Sequence, residues 1–381
     1  MKKIFSVIIT AVVTTVSLFQ ITAIAKTSDK PTVNAQACVL YCVDDGQVYF
    51  SINENKKMKP ASTTKLMTTL ITLEYADAAD KEVAFTKEMT AEGSSMYLKE
   101  GEKVRLSDLA AGMMMASGND AANAAAISIA GSAEKFSELM NKRAAVIGMK
   151  NTHFVTPSGL DDENHYSTAY DMALLMSYAL ENESFAVLTS QKSVTVEFCE
   201  PSSKKTTYSN HNRLLSMYEY CTGGKTGYTM AAGRCLVFFS KKDGLTFVCV
   251  TLNDRNDWND HIALYEYGFS KLSCVECDDS DFYLEIPCAG GNDDMISVTG
   301  TKGKNVVVPS DKKEGVEKTV YADNFLYAPV KDGDVVGRIE YTLDGRLLES
   351  TKLTAVEYSN LQNKNKSIWT KIKEFFTYGK E

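Results

Sequence analysis

The spacing of apolar positions divides the chain into segments of different character. After an N-terminal apolar run, residues 37–52 (ACVLYCVDDGQVYFSI) read as two strands around an Asp45-Gly46 turn. The run LMTTLITLEYA that follows Ser62 has helical spacing. Residues 105–131, rich in alanine and methionine, predict helices broken near Ser117-Gly118. A further helix is expected over 133–148, ending at Gly148, and another from Thr168 to Leu180. From about residue 220 the pattern turns to strands. GRCLVFFSKKDGLTFVCVTLN is two apolar runs joined by Lys242-Asp243-Gly244, a hairpin, and helix returns over 258–272. Strands fore and aft of a helical stretch predict one α+β domain, a sheet packed with a helical cluster. Residues 278–358 instead alternate apolar and polar with Asp-Gly turns and no convincing helix, the pattern of a small all-β domain.

The two ends differ from this body. Lys2 and Lys3 precede IFSVIITAVVTTVSLF, and Ala23-Ile24-Ala25 supplies small residues at the spacing of a cleavage site, so residues 1–25 read as an export signal. An uncleaved N-terminal anchor is the weaker alternative, given Gln20 and the many Thr and Ser residues. Either reading puts the folded part outside the cytoplasm. Loss of the signal removes Lys2 and Lys3 and no acid, taking the net charge from −8 to −10. An acidic chain with scattered Lys and Arg is no nucleic-acid binder. At the far end, Ile368, Trp369, Ile372, Phe375 and Phe376 share one arc of a helical wheel, with Lys366 and Lys373 elsewhere. Residues 363–381 thus form either an amphipathic helix on a membrane surface or one docked on its own protein. The polar link before it (SNLQNKNK) and its basic charge favour the membrane. The 381 residues carry nine cysteines, an odd and scattered set without disulfide-framework spacing. Cys274-x-x-Cys277 lacks the partners of a zinc site, and the cysteines read mostly as small buried hydrophobes, their pairing open.

Candidate chemistry starts at PASTTKLMT, which sets Ser62 and Lys65 on one helix face at the start of the apolar run. Two readings stand: a serine N-cap with a neighbouring lysine, or a nucleophile beside its base. Further along, SGND holds Ser117 and Asn119 at the helix break, and GGKTGYT places Lys225-Thr226-Gly227 just before the strand hairpin. The order Ser-x-x-Lys, Ser-x-Asn, Lys-Thr-Gly marks the active-site serine fold of penicillin-binding proteins and class A β-lactamases. The residue types suit the chemistry. Lys65 serves as base only when neutral, which burial and a second nearby cation both favour. Lys225 supplies such a cation and can meet a substrate carboxylate. Ser117 and Asn119 can carry protons and hold a substrate amide, and the Ser62 N–H can stabilise an oxyanion. The four histidines (153, 165, 211 and 261) lie outside these motifs, and nothing here requires a Ser-His-Asp triad.

The chain resembles the low-molecular-mass penicillin-binding proteins, the serine-type D-alanyl-D-alanine carboxypeptidases of the penicillin-binding protein 5 and sporulation-linked group. KPASTTKLMT, SSMYLKEGEKV, LSDLAAGMMMASGNDAA, NTHFVTPSGLDDENHYSTAYDMALL, HNRLL and GKTGYTMAAGRCL carry the resemblance across nearly the whole mature chain. It implies a penicillin-binding/β-lactamase-like catalytic domain over 30–275, a β-rich domain over 278–358 and a C-terminal anchor on the outer face of the cytoplasmic membrane. Ser62 would form the acyl-enzyme and Lys65 accept its proton, with Ser117 and Asn119 completing the proton route. Lys225, helped by Thr226, Gly227 and Thr229, would bind the terminal carboxylate, and the Tyr228 N–H would be the second oxyanion donor. Arg255 would be a further carboxylate partner or else half of a surface ion pair. The implied partners are peptidoglycan stem peptides, with β-lactams as covalent inhibitors, and no metal or organic cofactor is implied.

The chain departs from the family pattern in two places. Thr222-Gly223-Gly224 stands where Asp-Gly usually precedes the motif lysine, and His211 stands where a cation often precedes the NRLL-type stretch. A class A β-lactamase is disfavoured because residues 155–170 lack the Glu-x-x-Leu-Asn signature of the deacylating carboxylate. An endopeptidase acting on D-Ala cross-links would use the same groups, and a non-catalytic wall-binding protein is the alternative of another class.

Overall fold

The two apolar runs of GRCLVFFSKKDGLTFVCVTLN become neighbouring strands of the central sheet. The computed structural model describes residues 30–356 and 359–360; the expected export signal at 1–25 and amphipathic stretch at 363–381 lie outside the described residues. The chain enters through the hairpin β1 (Ala37–Cys42) and β2 (Gln47–Ile52), turning at Gly46 with φ +70°. A 3-10 turn at Ala61–Thr64 leads into α1 (Lys65–Ala78). The short strands β3 (Glu82–Ala84) and β4 (Lys103–Arg105) pair with each other, and α2 (Leu106–Met115) follows. The expected break separates α2 from α3 (Asn119–Ala130), and α4 (Ala133–Ile147) ends at Gly148 in the left-handed conformation. Next is α5 (Ala169–Ala179), whose N-cap Thr168 accepts the N–H of Asp171. Then come α6 (Glu183–Ser190), the hairpin β5 (Ser193–Glu197) and β6 (Lys205–Ser209), and the single turn α7 (Leu214–Met217). Strands β7 (Cys221–Thr229), β8 (Gly233–Lys242) and β9 (Leu245–Leu252) and helix α8 (Asp257–Lys271) complete this part.

The antiparallel sheet has the order β2-β1-β9-β8-β7, which brings the N-terminal strand beside the last strand before α8. Strand β1 is buried at every position, so the sheet is covered on both faces. Side chains alternate accordingly. Val39, Val237 and Val250 pack with Leu70, Met113 and Met172 of the helical cluster, while Leu40, Phe238 and Phe247 pack with Leu264 and Tyr265 of α8. Each such burial is worth roughly 1.5–3 kcal/mol, the main driving force for this layering. All nine cysteines are free thiols, and all but Cys199 are buried. Burial pushes the Cys38 and Cys42 thiols up to about 12.

Two features differ from the sequence pattern. Helix α6 and the β5–β6 hairpin fall in a stretch whose apolar positions are too sparse to announce them. Lys225-Thr226-Gly227 also lies within a strand, not ahead of one: β7 pairs with β8 from Cys221↔Ser240 to Thr229↔Gly233. Strand β7 has no apolar run because it packs tightly through glycines. A Cβ on Gly224 would lie 1.9 Å from Phe238 Cδ1, and one on Gly223 would lie 2.9 Å from Thr189 and Phe239.

Beyond α8, β10 (Leu272–Val275) continues directly from the helix. It is followed by β11 (Tyr283–Ala289), β12 (Met295–Gly300) and β13 (Val306–Pro309). Strands β14 (Glu317–Ala322), β15 (Leu326–Tyr327), β16 (Val335–Leu343) and β17 (Arg346–Ala355) complete a six-stranded sheet of order β14-β16-β17-β12-β11-β15. Its core holds Ile286, Ile296, Val298, Ile339 and Leu353. Strand β10 pairs with β13, so residues expected to close the first domain are bonded to a strand of the second. The architecture is α+β followed by an all-β unit.

Candidate active site

Three chain segments far apart in sequence meet at Ser62. The serine sits in the 3-10 turn ahead of α1 and caps neither helix, since no side-chain cap bond is present at either start. Lys65, one turn on, is fully buried. Its Nζ lies 2.9 Å from Ser62 Oγ, 2.6 Å from Asn119 Oδ1 and 2.6 Å from the Ser158 carbonyl oxygen. The second segment is the α2–α3 break. Ser117 adopts φ +55°, which turns the chain so that Asn119 opens α3 toward Lys65. Asn119 is fixed from behind by its N–H to Ser94 O at 2.7 Å and its Nδ2 to Glu92 O at 2.6 Å. The third is β7, where Lys225 donates to Ser117 Oγ and Thr226 O, both at 2.9 Å. Gly227 brings this strand against the serine turn: a Cβ there would meet Pro60 O and Thr63 N at 3.0 Å and Ser62 N at 3.1 Å.

Electrostatics follow from burial. Burial first, and the Lys225 cation second, hold Lys65 well below the ordinary lysine range, against the opposing pull of Asp120. Burial alone lowers Lys225 to about 7. A neutral Lys65 amine has two N–H groups and one lone pair. Asn119 Oδ1 and Ser158 O can only accept, so they take both N–H groups, and the lone pair is left for the Ser62 hydroxyl. The arrangement can draw a proton from Ser62 Oγ.

A cavity of about 330 Å³ opens beside Ser62 and is lined by Ser117, Thr226, Gly227 and Tyr228 from the expected set. It is also lined by Ser94, His211, Arg234, Asp257 and Trp258, which the motifs did not single out as site residues. His211, at the departure noted in the sequence, is lowered by burial and then by Lys225. Two expected binding residues lie elsewhere. Thr229 is not among the lining residues; its Oγ1 donates to Asp161 Oδ1 at 3.0 Å and accepts from the Ala232 N–H. Arg255, expected either beside the substrate carboxylate or in a surface ion pair, is exposed and outside the cavity lining. The loop after β9 carries its side chain out into solvent, and the guanidinium in the cavity belongs to Arg234 on β8. The signal that could have found Arg234 is a single charge inside the apolar run GRCLVFF, in register with Tyr228 on β7.

Behind the site, Asp120 accepts from the N–H groups of Met96 and Leu98 and from Ser95 Oγ, holding the segment that carries Ser94. His165 Nδ1 accepts from the Val155 and Thr156 N–H groups, so its Nε2–H donates to Thr64 Oγ1 at 2.9 Å. This histidine ties the 155–167 loop to the serine turn and has no contact with the reacting groups. Among the described residues no cluster of His, Cys, Asp and Glu is arranged to hold a metal ion.

Comparison with known proteins gives the family. Residues 24–256 match the family described as D-alanyl-D-alanine carboxypeptidase, and residues 278–358 match the penicillin-binding protein 5 C-terminal domain. The D-alanyl-D-alanine carboxypeptidase DacF of Bacillus subtilis is 29% identical over 98% of this chain and 100% of its own length. DacC of Escherichia coli is 32% identical over 89% of this chain and 88% of its own. The solved penicillin-binding protein 5 of Haemophilus influenzae superposes with a TM-score of 0.64 at 26% identity, covering 87% of this chain and 99% of that one. With its serine, two lysines and β-rich second unit in place, the chain belongs to the D-alanyl-D-alanine carboxypeptidase family of serine penicillin-binding enzymes.

Proposed function

We propose that Ser62 is the nucleophile and Lys65 its base in hydrolysis of the terminal D-alanine from stem peptides ending in D-Ala-D-Ala. The observation that carries this reading is the lone pair of a buried Lys65 facing Ser62 Oγ while acceptor-only oxygens occupy its N–H groups. Ser62 Oγ attacks the carbonyl carbon of the penultimate residue as its proton passes to Lys65. The oxyanion is met by the backbone N–H groups of Ser62 and Tyr228. Lys225 donates to Ser117 Oγ, so the Ser117 hydroxyl hydrogen is free to pass to the departing amine as the proton taken up by Lys65 is returned to Ser117 Oγ, leaving an ester on Ser62, free D-alanine and a neutral Lys65. Water then attacks the ester, Lys65 takes its proton and passes it to the departing Ser62 Oγ, and the shortened peptide leaves with the serine hydroxyl regenerated. Asn119 holds Lys65 in place and faces the substrate amide, while Lys225, Thr226 and Gly227 border the end of the peptide. A β-lactam, acylating the same serine, would open its ring there.

Peptidoglycan lies outside the cytoplasmic membrane, and the reading extends to location. Residues 1–25 are assigned as a cleaved export signal and 363–381 as an amphipathic helix on the outer face of the cytoplasmic membrane, with 30–275 and 278–358 as the two domains between. No helix among the described residues is long and apolar enough to cross a membrane.

The test is D-alanine release from a pentapeptide ending in D-Ala-D-Ala by the mature chain and by Ser62→Ala. Release confined to the wild type supports the assignment, and equal release from the variant removes Ser62 from the mechanism. A chain shortened to end at Asn363 should leave the membrane fraction without detergent; continued attachment after signal cleavage would refute the anchor.

A further inference from the structure

The β-rich unit carries an exposed apolar face at the place where the described residues end. Strand β11 pairs in parallel with β15, Cys288 beside Leu326 and Ala289 beside Tyr327, and antiparallel with β12, Pro287 opposite Met295. Cys288 and Leu326 point into the core. Alternation then turns Pro287, Ala289, Met295 and Tyr327 to the other face, and all four are exposed. Phe325 joins them. Its ring meets that of Tyr327 edge-on with 5.1 Å between centroids, although the two residues are 50% and 72% exposed. Two aromatic rings held together in solvent, with a methionine and a proline alongside, make the kind of surface that marks an interaction site. The chain leaves beside this patch. Ser359 bridges Val330, three residues past Tyr327, and the Asn360 carbonyl accepts at 2.9 Å from the Asn292 N–H in the turn between β11 and β12. The turns that frame the patch, 292–294 and 331–334, expose Asp293, Asp294, Asp332 and Asp334 against a single lysine, Lys331.

We infer that this patch is the resting dock of residues 363–381, whose apolar arc covers it until a membrane draws the segment away. The segment starts close by. From Asn360 to Asn363 is three peptide steps, a reach of at most about 11 Å, so it meets the patch at high effective concentration. Its chemistry also matches. Ile368, Trp369, Ile372, Phe375 and Phe376 share one arc, which suits an aromatic patch. Five lysines against two glutamates give residues 361–381 a net +3, opposite in sign to the four aspartates and one lysine of the framing turns. The same aspartates set the patch against anionic headgroups, which makes a bilayer the poorer occupant. Competition with a membrane rests on the reading of 363–381 as the anchor. The arc can cover only one apolar surface at a time, so the docked fraction lowers the apparent membrane affinity of the chain.

The experiment compares the mature chain, intact to residue 381, with the double variant Phe325→Ser, Tyr327→Ser. Trp369 is the reporter. The chain has two tryptophans, Trp258 and Trp369, and subtracting the spectrum of a chain ended at Asn363 leaves Trp369 alone. Without lipid, Trp369 should emit to the blue and resist acrylamide quenching in the wild type, and become exposed in the variant. With vesicles of phosphatidylcholine and phosphatidylglycerol at about 3:1, the variant should bind about 3–10-fold more tightly, the gain when about two-thirds to nine-tenths of the segment is docked. Tyr327→Ser alone should move both signals the same way by less, and serves if the double variant fails to fold. Trp369 exposed in both chains, or protected equally in both, overturns the inference. Protection that rises with protein concentration also overturns it, since the occupant is then a second copy. Weaker or unchanged vesicle binding by the variant does the same, and weaker binding makes the patch itself the membrane contact. If neither chain binds vesicles the anchor reading fails, while the lipid-free Trp369 signal still decides the dock.

Discussion

Lys225→Met separates the energetic cost of the site from its chemistry. Lys225 is 2% exposed, and burial lowers its pKa from 10.5 to about 7. In the unfolded chain the amine holds its proton up to about 10.5, so between about 7 and 10.5 the unfolded state binds more protons and stability rises with pH. Below about 7 both states are charged and the full cost of burying the ammonium is present. At 1.36 kcal/mol per pKa unit, the swing across this window is on the order of 4–5 kcal/mol. Methionine has a similar shape and no amine, so the variant lacks the swing. Lys65 acts in the same direction, because without the Lys225 cation its own pKa is lowered less. The lost bond to Ser117 Oγ costs about 1 kcal/mol at every pH and drops out of the slope. The assay is the urea denaturation free energy of both chains from pH 6.5 to 10.5. The variant should gain on wild type as pH falls, most at pH 7 and below, while losing D-alanine release. Parallel curves would refute the reasoning, since they would mean that Lys225 is no less basic folded than unfolded.

Three further outcomes follow from the same geometry. Asn119→Ala removes an acceptor from Lys65 and the tie to Glu92, and should slow acylation by labelled penicillin about 100-fold, in the range of a misplaced acid–base group; an unchanged rate would show that Ser158 alone aligns the amine. Gly159→Ala puts a Cβ 2.0 Å from Ala61 O at φ +83°, and should cost about 2–4 kcal/mol in a denaturation titration while slowing acylation. Wild-type stability in that variant would mean the loop is free to move off the serine turn. Arg255→Ala, altering an exposed side chain outside the cavity lining, should leave kcat/KM on the free-acid peptide within about twofold, the scale of a surface substitution.

Much of this was legible in the sequence because it rests on local signals. The Asp45-Gly46 and Asp243-Gly244 hairpins, the break at Ser117-Gly118 and the glycine stop at Gly148 are each written in adjacent residues, and all four are present. Ser62, Lys65, Ser117, Asn119 and Lys225 were legible for another reason: the chemistry restricts each to one or two residue types at fixed short spacing. What stayed hidden depends on register between distant strands. Nothing local to Arg234 announces that β8 will set it opposite Tyr228, or that Asp257, 23 residues on, will bury its carboxylate against it. Arg255 enters the expected set through the family resemblance alone. The strand character of β7 was hidden by its glycines, which pack through backbone and so leave no apolar pattern to read.

The backbone itself records where the fold bears the cost of this arrangement. Among the described residues, seven that are not glycine have positive φ. Asn53, Asp243, Asn253 and Asp344 are Asn or Asp, for which that conformation is cheap. The other three are Ala61, Tyr97 and Ser117, residues with no such dispensation: Ala61 and Ser117 lie at the site, and Tyr97, outside the cavity lining, lies three residues after Ser94. Ala61 precedes the nucleophile in its turn, Ser117 is the cavity residue bonded to Lys225, and Tyr97 belongs to the segment that carries Ser94. Such conformations cost about 1–3 kcal/mol each and persist only where surrounding contacts over-determine them. Here the contacts are visible: Gly159 and Gly227 close on the turn of Ala61, Lys225 binds Ser117, and Asp120 gathers the backbone on either side of Tyr97. Strain and buried cations therefore coincide at one place. A chain selected for stability alone would relax the three φ angles and replace both lysines with apolar residues, and it would lose the lone pair that faces Ser62.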